Sequence, residues 1–538
     1  MPASPPRRWP ITLALAALLL AYWVLELRAL AVVPRAYEDE PWTASTSWTL
    51  ATRGVFGTPL QGGLFGSARH YFGFMPLYPV LQAGMFRLAG LGLWQARLTS
   101  VFLGLLVLAL TFALGRRLFG APVGLLAVAT LLLAHTAGQT IYRPTGILLV
   151  DFARFARYDI AVPVFGLSAC LALGRAGPPA GRRAAGRAAL AGALGGLAGL
   201  AHVYGWFWLA ALGAALLHFG RRSRSSRWAV QTIGALTLGA GVVLLPYGLY
   251  VLRHWSDWLG QVSLYRDRLA PFDPGWYAHN LLTEAQRYGP GLGSDWRGWL
   301  RPGLWLMLLA GLPAAVALAR QAGRRLPLAA YAWGLWLLPG LLALLVSSKV
   351  ANYLLLYWPL AALAVAWGLS AAWRLAGVRS WPWLRGLLVV GCAWAAWEGA
   401  GLWRQLDQAA AHTTPYAAYT HRLRAAVAAA SSVARPSVLG LHTYWFGFSD
   451  LPYTSWYYPV VRAGFPPAGA AVPITDTLAA LAPQVVLVDV RTRAWLAAGP
   501  DGPTVEAWLA RDYALTGGVN DATYGRTDVY ARRAGDPP

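Results

Sequence analysis

Residues 97–118 read RLTSVFLGLLVLALTFALGRRL: one Arg, eighteen uncharged residues, then an Arg pair. Helix rises about 1.5 Å per residue, so a block of roughly 20 apolar residues crosses the hydrocarbon core of a bilayer. Blocks of this kind recur along the 538-residue chain, which is 57% hydrophobic and only 12% charged, with mean hydropathy +0.44. Soluble domains carry roughly 25% charged residues, which excludes a soluble cytosolic enzyme. Barrel strands would show alternating runs of about ten residues, and the sequence has none. The fold class is an all-α polytopic membrane protein.

The direction of 97–118 orients everything after it. The preceding apolar stretch, Pro76 to Phe86, is too short to span and is broken by Arg87, so it reads as a helix along the outer interface. With a first, uncleaved helix at 10–33 entering from the inside, 97–118 then runs inward and leaves Arg116 and Arg117 there. The cleavage-like Ala29-Leu30-Ala31 keeps a signal peptide as the alternative. Further crossings fall near 121–141, 159–174, 188–204, 205–219, 228–252, 302–319, 326–347, 353–373 and 386–403, about 11 in all. The inner gaps carry Arg175, Arg182, Arg183, Arg187, Arg221, Arg222, Arg224, Arg227, Arg320, Arg324, Arg325, Arg374, Arg379 and Arg385 without one Asp or Glu. The net charge of +23 is therefore a positive-inside signal and predicts no nucleic-acid partner. Gly174–Arg187 reads as a flexible inner loop.

A transmembrane domain thus occupies residues 1–404, with outer loops at 34–95 and 253–301. The tail, 405–538, has ten Arg and ten acidic residues, the balance of a soluble domain. Short buried strands at Val438–Leu441 and Val485–Val490, helices at Ala425–Val433 and Val505–Asp512, and a hairpin within Val519–Ala531 predict a small C-terminal extracytoplasmic α/β domain. Cys170 and Cys392 both lie in apolar blocks, which supports neither a disulfide nor a thiolate metal site.

Since the inner loops are purely basic, acid–base chemistry belongs on the outer side. Tyr37-Glu38-Asp39-Glu40-Pro41-Trp42 clusters three carboxylates directly after the first helix, either a solvated loop or a source of a general base. Asp151-Phe-Ala-Arg154-Phe-Ala-Arg157-Tyr158-Asp159 places two Arg three apart, on one face if helical, as interfacial anchors or as a fork for phosphate. Lys349 is the one lysine among 45 basic residues, either a snorkelling chain or a compact ammonium retained for a task. His202 ends an outer helix and is as consistent with an interfacial histidine as with a functional one. Phosphate-loop, HExxH and GxSxG motifs are missing, and so is an obvious inverted repeat.

Asp39-Glu40-Pro41, Met75-Pro76-Leu77-Tyr78, Ala96-Arg97-Leu98 with Gly115-Arg116-Arg117-Leu118-Phe119-Gly120, Arg157-Tyr158-Asp159, Gly199-Leu200-Ala201-His202 and Lys349 with Tyr353-Leu354-Leu355 occur in this order. Over residues 10 to about 373 the chain thereby resembles the GT-C superfamily of polyprenyl-phosphate-dependent glycosyltransferases. The resemblance is to the bacterial branch related to aminoarabinose transferases and protein O-mannosyltransferases. It implies a GT-C fold with Asp39 as catalytic base, Asp159 a second acid at the same cavity, and Lys349 and Tyr353 on the lipid phosphate. The family often has Lys-Pro where Met75-Pro76 stands, Arg where Trp42 stands and Lys near His202. Phosphate binding is therefore expected of Lys349, Tyr353, Arg154, Arg157 and His202, with Arg266 and Arg268 as further candidates. Glu40 joins Asp39 and Asp159 as a catalytic candidate.

The expected activity is transfer of a sugar from a polyprenyl-phosphate donor to a lipid, glycan or protein acceptor at the outer face of a bacterial plasma membrane, with the N-terminus cytoplasmic. A lipid or glycan transporter or flippase is the alternative, and it predicts charges at mid-membrane depth. No metal or cofactor is demanded by any spacing, although the outer acids leave a divalent cation open.

Overall fold

The computed structural model describes residues 9–173, 182–288, 301–464 and 472–533. Helix α1 (Trp9–Leu27) stops before the expected Val33, and the segment after it, expected on the outer side and called the outer segment below, holds α2 (Asp39–Arg53) and α3 (Leu77–Ala89). There follow α4 (Leu93–Phe119), α5 (Ala121–Leu133), α6 (Leu148–Ala153), α7 (Ala161–Leu173), α8 (Arg182–Ala201), α9 (Trp206–Arg222) and α10 (Ser226–Arg253). Two short helices, α11 (Trp255–Ser263) and α12 (Pro274–Leu282), order the long loop. The helical part ends with α13 (Pro302–Leu306), α14 (Leu312–Gln321), α15 (Leu326–Leu345), α16 (Trp358–Val378) and α17 (Pro382–Ala411).

Among the described residues, nine helical stretches are long and apolar enough to cross a membrane and two more are apolar but shorter. One of the short ones, α5, has 13 residues, about 20 Å of helix. The expected helix 121–141 therefore ends early. From Ala134 the chain turns back through His135, whose Nδ1 lies 3.0 Å from Glu398 of α17, and closes a Thr140–Arg143 bridge. Likewise the block expected from 353 begins as a tight turn over Ala351–Leu356, and α16 starts only where Pro359 suits a first helical turn. Of the expected inner loop 174–187, residues 174–181 lie outside the described residues, and Arg182–Arg187 form the start of α8.

Between apolar helices in lipid, close approach of backbones supplies the packing that water would otherwise drive. Helices α8 and α10 show it: a Cβ on Gly192 would stand 1.9 Å from Leu236 O, and one on Gly239 1.9 Å from Ala189 O. Helix α1 is fixed in the bundle by polar bonds as well, with Tyr22 Oη donating to Val101 O at 3.1 Å.

The division expected after residue 404 falls inside α17, whose helix continues to Ala411. The tail then forms α18 (Tyr416–Ala430), β1 (Val438–Gly440), β2 (Tyr453–Ser455), α19 (Tyr457–Gly464), α20 (Ile474–Leu481), β3 (Val485–Asp489), α21 (Val490–Ala498), α22 (Gly502–Asp512), β4 (Tyr513–Asp521) and β5 (Gly525–Arg532). Strand order is β2-β1-β3-β5-β4, with β1 parallel to β2 and β3, and β5 antiparallel to β3 and β4. All five residues of β3 are buried, as a central strand covered on both faces requires. The hairpin turns where the sequence places it: Asp521 Oδ1 accepts from Thr523 N and Tyr524 N, and Gly525 takes a φ of 76°.

This α/β unit packs on the outer segment. The Trp42 ring lies 4.8 Å from that of His442 and 5.2 Å from that of Tyr457, and Arg491 forms an ion pair with Glu38.

Candidate active site

Asp39 is the first residue of α2, where a carboxylate suits the positive end of the helix. The helix itself is polar and buried, and its hydroxyls are satisfied locally: Ser45 and Thr46 donate to Trp42 O, and Ser47 to Thr43 O. Asp39 keeps about a third of its side chain exposed and accepts a hydrogen bond from Arg157 Nη1. The same guanidinium donates from Nε to Asp159 Oδ2 at 2.9 Å, so Arg157 joins the two acids that the sequence places 120 positions apart. Asp159 is almost fully buried, with His202 Nε2 3.8 Å from its other oxygen. His202 Nδ1 accepts from Tyr204 N, which leaves the proton of the neutral ring on Nε2, and burial pushes the imidazole down to about 4.

Beside these residues opens a cavity of about 320 Å³. Arg143, Arg157, Arg287 and Lys349 line it together with Tyr37, Tyr142, Phe152, Phe155 and Asn352, and among the described residues no carboxylate does. Lys349 Nζ donates to Glu284 Oε2 at 2.9 Å, and burial lowers its pKa. Arg287 grips Glu284 through Nε at 2.7 Å and Nη2 at 3.1 Å, and donates to the carbonyls of Leu342 and Ser348. One acid thus holds two cations, and the outer loop carrying it is tied to the segment after α15. Arg143 has a buried Nη1 without a hydrogen-bond partner. Four cations thus converge on the cavity, three of them held from behind by Asp39, Asp159 and Glu284, beside an apolar and aromatic wall.

Two expected site residues lie elsewhere. Glu40 is fully buried and has no access to the cavity: its carboxylate accepts from Arg97 Nε at 2.7 Å and Nη2 at 2.9 Å, from Tyr37 N at 2.7 Å and from Ala156 N at 2.9 Å. Four donors leave it no lone pair for a substrate proton, so it fastens the outer segment instead. Arg154 and Arg157 share no helix face, because α6 ends at Ala153 and the chain is extended at Arg157. Arg154 turns away into the protein, donating to Val33 O, Glu26 O and Arg28 O at 3.0, 3.0 and 2.6 Å, and facing Glu26 Oε2 at 3.4 Å. It clamps the end of α1 and does not reach the cavity.

Tyr353 does not line the cavity; its ring packs behind the wall, 5.3 Å from His202 and 4.9 Å from Tyr204, with the Arg287 guanidinium 5.7 Å above it. Neither Arg266 nor Arg268 lines the cavity; Arg268 lies over the Tyr265 ring at 4.9 Å. Arg143, Arg287 and Glu284 were not singled out from the sequence. The i,i+3 spacing of Glu284 and Arg287 was the available signal for two of them, whereas Arg143 lies two residues beyond the expected span 121–141 and carried no signal.

The chain is a bundle of apolar helices, built as a multi-pass membrane protein, with a cationic cavity and flanking acids on one side and an α/β unit capping it; its fold is the GT-C fold of the solved structures that follow. Its likenesses lie among solved structures, since no protein-family model and no curated protein matches the chain. ArnT from Cupriavidus metallidurans bound to undecaprenyl phosphate superposes with TM-score 0.63 at 16% identity, over 99% of this chain and 100% of that one. The oligosaccharyltransferase AglB from Archaeoglobus fulgidus, in complex with an inhibitory peptide and a dolichol-phosphate, superposes with TM-score 0.53 at 13% identity, over 97% and 75%. Both are GT-C proteins, and the shared fold runs through the helical part and the tail alike.

Proposed function

We propose that the chain is a membrane glycosyltransferase that moves a sugar from a polyprenyl-phosphate donor to an acceptor hydroxyl at the outer face of the membrane. The observation carrying this reading is the adjacency of Asp39 to a cavity with four cations and, among the described residues, no carboxylate in its wall. ArnT with undecaprenyl phosphate and AglB with dolichol-phosphate share the fold, which supports a lipid-phosphate donor.

In such a donor the anomeric carbon already carries a phosphate as leaving group, so no general acid is essential. The acceptor oxygen attacks that carbon in line, its proton passes to Asp39, the bond to the phosphate oxygen breaks, and the configuration inverts. Lys349, Arg157, Arg143 and Arg287 stabilise the negative charge on the departing polyprenyl phosphate. Arg157 also orients Asp39 against Asp159, and neutral His202 lines that buried acid without adding charge. General-base assistance contributes about 10²–10⁴-fold. Sugar release from a panel of polyprenyl-phosphate monosaccharides, wild type against Asp39→Asn, tests the proposal. One donor turning over, with a loss of at least about a hundredfold in the folded variant, is the expected result; a folded variant at full rate overturns Asp39 as base.

A further inference from the structure

Away from the cationic cavity, the outer segment meets the start of α11 through two imidazoles and a carboxylate. His70 Nδ1 lies 2.8 Å from Asp257 Oδ2, and the His70 and His254 rings stack with centroids 3.6 Å apart and planes 21° from parallel. One ligand-capable atom from each of the three residues falls within 4.8 Å of the others. We infer that His70, His254 and Asp257 bind one Zn²⁺ ion, which clamps the outer segment carrying Asp39 to the loop after α10.

The donor set is two imidazole nitrogens and one carboxylate oxygen, which suits Zn²⁺ and disfavours Mg²⁺ or Ca²⁺, whose sites are built from oxygen. Zinc bonds of about 2.0–2.2 Å in a tetrahedral site put donor atoms roughly 3.3 Å apart. The widest pair therefore closes by about 1.5 Å, within reach of side-chain rotation for half-buried groups.

The backbone frame around the three residues is already fixed. His254 and Asp257 stand three apart at the helix start, and one turn further the buried Gln261 donates to Phe65 O at 2.9 Å and His70 O at 2.6 Å while accepting from Phe72 N at 2.7 Å. Gly66, with φ 70°, lets the loop approach so closely that a Cβ there would stand 2.4 Å from Asp257 Oδ2. Tyr250 packs edge-on against both imidazoles, 5.9 Å from His70 and 5.0 Å from His254. Three protein donors leave a fourth tetrahedral position to water, and the partial exposure of all three residues gives an ion its way in. None of the three lines the cationic cavity, so the ion's role is to order the segment rather than to take part in transfer.

The experiment uses the full chain, purified in detergent with any histidine tag removed, stripped with chelator and dialysed against Zn²⁺. Expected are one zinc per chain by elemental analysis and a rise of several degrees in the unfolding midpoint on adding Zn²⁺. His70→Ala and His254→Ala lose both while still eluting as monodisperse protein. Co²⁺ substituted into wild type gives the visible absorption of a tetrahedral N/O site, a readout independent of any variant's folding. Zinc below stoichiometry in wild type, undiminished zinc in folded His70→Ala and His254→Ala, or an octahedral Co²⁺ spectrum overturns the assignment. Because none of these readouts uses sugar transfer, failure of the glycosyltransferase reading leaves the result intact.

Discussion

Asp39 and Glu40 are neighbours in the chain, and changing each to its amide separates the chemical from the structural carboxylate. Asp39 is partly exposed and bound by one donor, so under the proposed mechanism Asp39→Asn should leave the fold in place and lower turnover by at least about a hundredfold. Glu40 is fully buried against a fully buried Arg97 in a two-bond fork. Removing one partner of such a pair costs about 3–5 kcal/mol, because the remaining charge is left in a medium that cannot solvate it. The amide of Glu40→Gln would also turn a donor towards either Arg97 or the two backbone N–H groups of Tyr37 and Ala156. A loss of this size is a large share of the 5–15 kcal/mol that holds a typical domain folded. Unfolding of detergent-solubilised protein followed by the fluorescence of its 28 tryptophans measures it. In Glu40→Gln the midpoint should drop steeply, and activity per folded molecule should stay close to wild type. Adding Arg97→Met should recover only part of the stability, since Arg97 Nη1 also serves the carbonyls of Leu30 and Pro34 at 2.7 and 2.8 Å. A Glu40→Gln protein that melts like wild type and turns over as slowly as Asp39→Asn would refute this division of labour.

Arg154→Met leaves the buried carbonyls of Val33, Glu26 and Arg28 without their donor and should destabilise by about 1–3 kcal/mol for each one orphaned, without changing donor KM in the surviving folded fraction; a raised KM at unchanged stability would return Arg154 to the proposed phosphate site. Lys349→Met should lower kcat/KM by about a hundredfold, the usual loss for one group stabilising a leaving charge, as read in a donor titration; a folded variant at the wild-type value removes Lys349 from the phosphate. His202 is held at about 4 in the fold against about 6.5 in the unfolded chain, so unfolding takes up a proton below pH 6.5. Its stability contribution is complete above that pH and is lost as pH falls towards 4, by up to about 3 kcal/mol. His442, pushed to about 3, titrates in an overlapping window, so His202→Gln should shrink the acid-side slope of stability without abolishing it; an unchanged slope would show that His202 is already accessible to protons.

The helices were legible because crossing a bilayer demands length and uniform apolarity, and both survive in sequence without tertiary context. The short interfacial helix at 77–89 and the hairpin turn at Asp521–Gly525 were legible for related local reasons, an interrupted apolar run and turn chemistry. What misled was the end of α5. Leu131–Leu133 and Ala134 continue the apolar pattern, but the chain leaves the helix there because His135, Arg143 and Gly146 are recruited by partners far along the chain or across the turn. Arg143 was hidden for that reason, since it lies two residues beyond the expected span 121–141, in a turn whose contacts come from distant partners.

The harder failure concerns Arg154 and Arg157, which identical residue type and spacing make indistinguishable. Their roles diverge because the six-residue helix α6 ends at Ala153, which leaves Arg154 in the turn that closes it and Arg157 in extended chain, and α6 is held in place by Asp151. Its Oδ1 accepts from Thr145 N and Oγ1 and its Oδ2 from Gly146 N, tying the helix to the turn before it. With α6 anchored in that way, Arg154 points at the carbonyls of Leu25 and Glu26 at the C-terminal end of α1, the natural place for a cation. Arg157, three residues on in extended chain, points the opposite way to Asp39 and Asp159. Arg97 repeats the first pattern, closing the carbonyls of Leu30, Pro34 and Arg35 while pairing with Glu40. Two fully buried arginines thus hold the one backbone stretch, residues 25–35, that connects the first span to the acid at position 39. Asp39 can then be presented on a short polar helix beside the cavity, with its own side chain bound only by Arg157. The arginines that fix the site and the arginines that line it are chemically the same residue, and only the direction of the extended segment after Ala153 tells them apart.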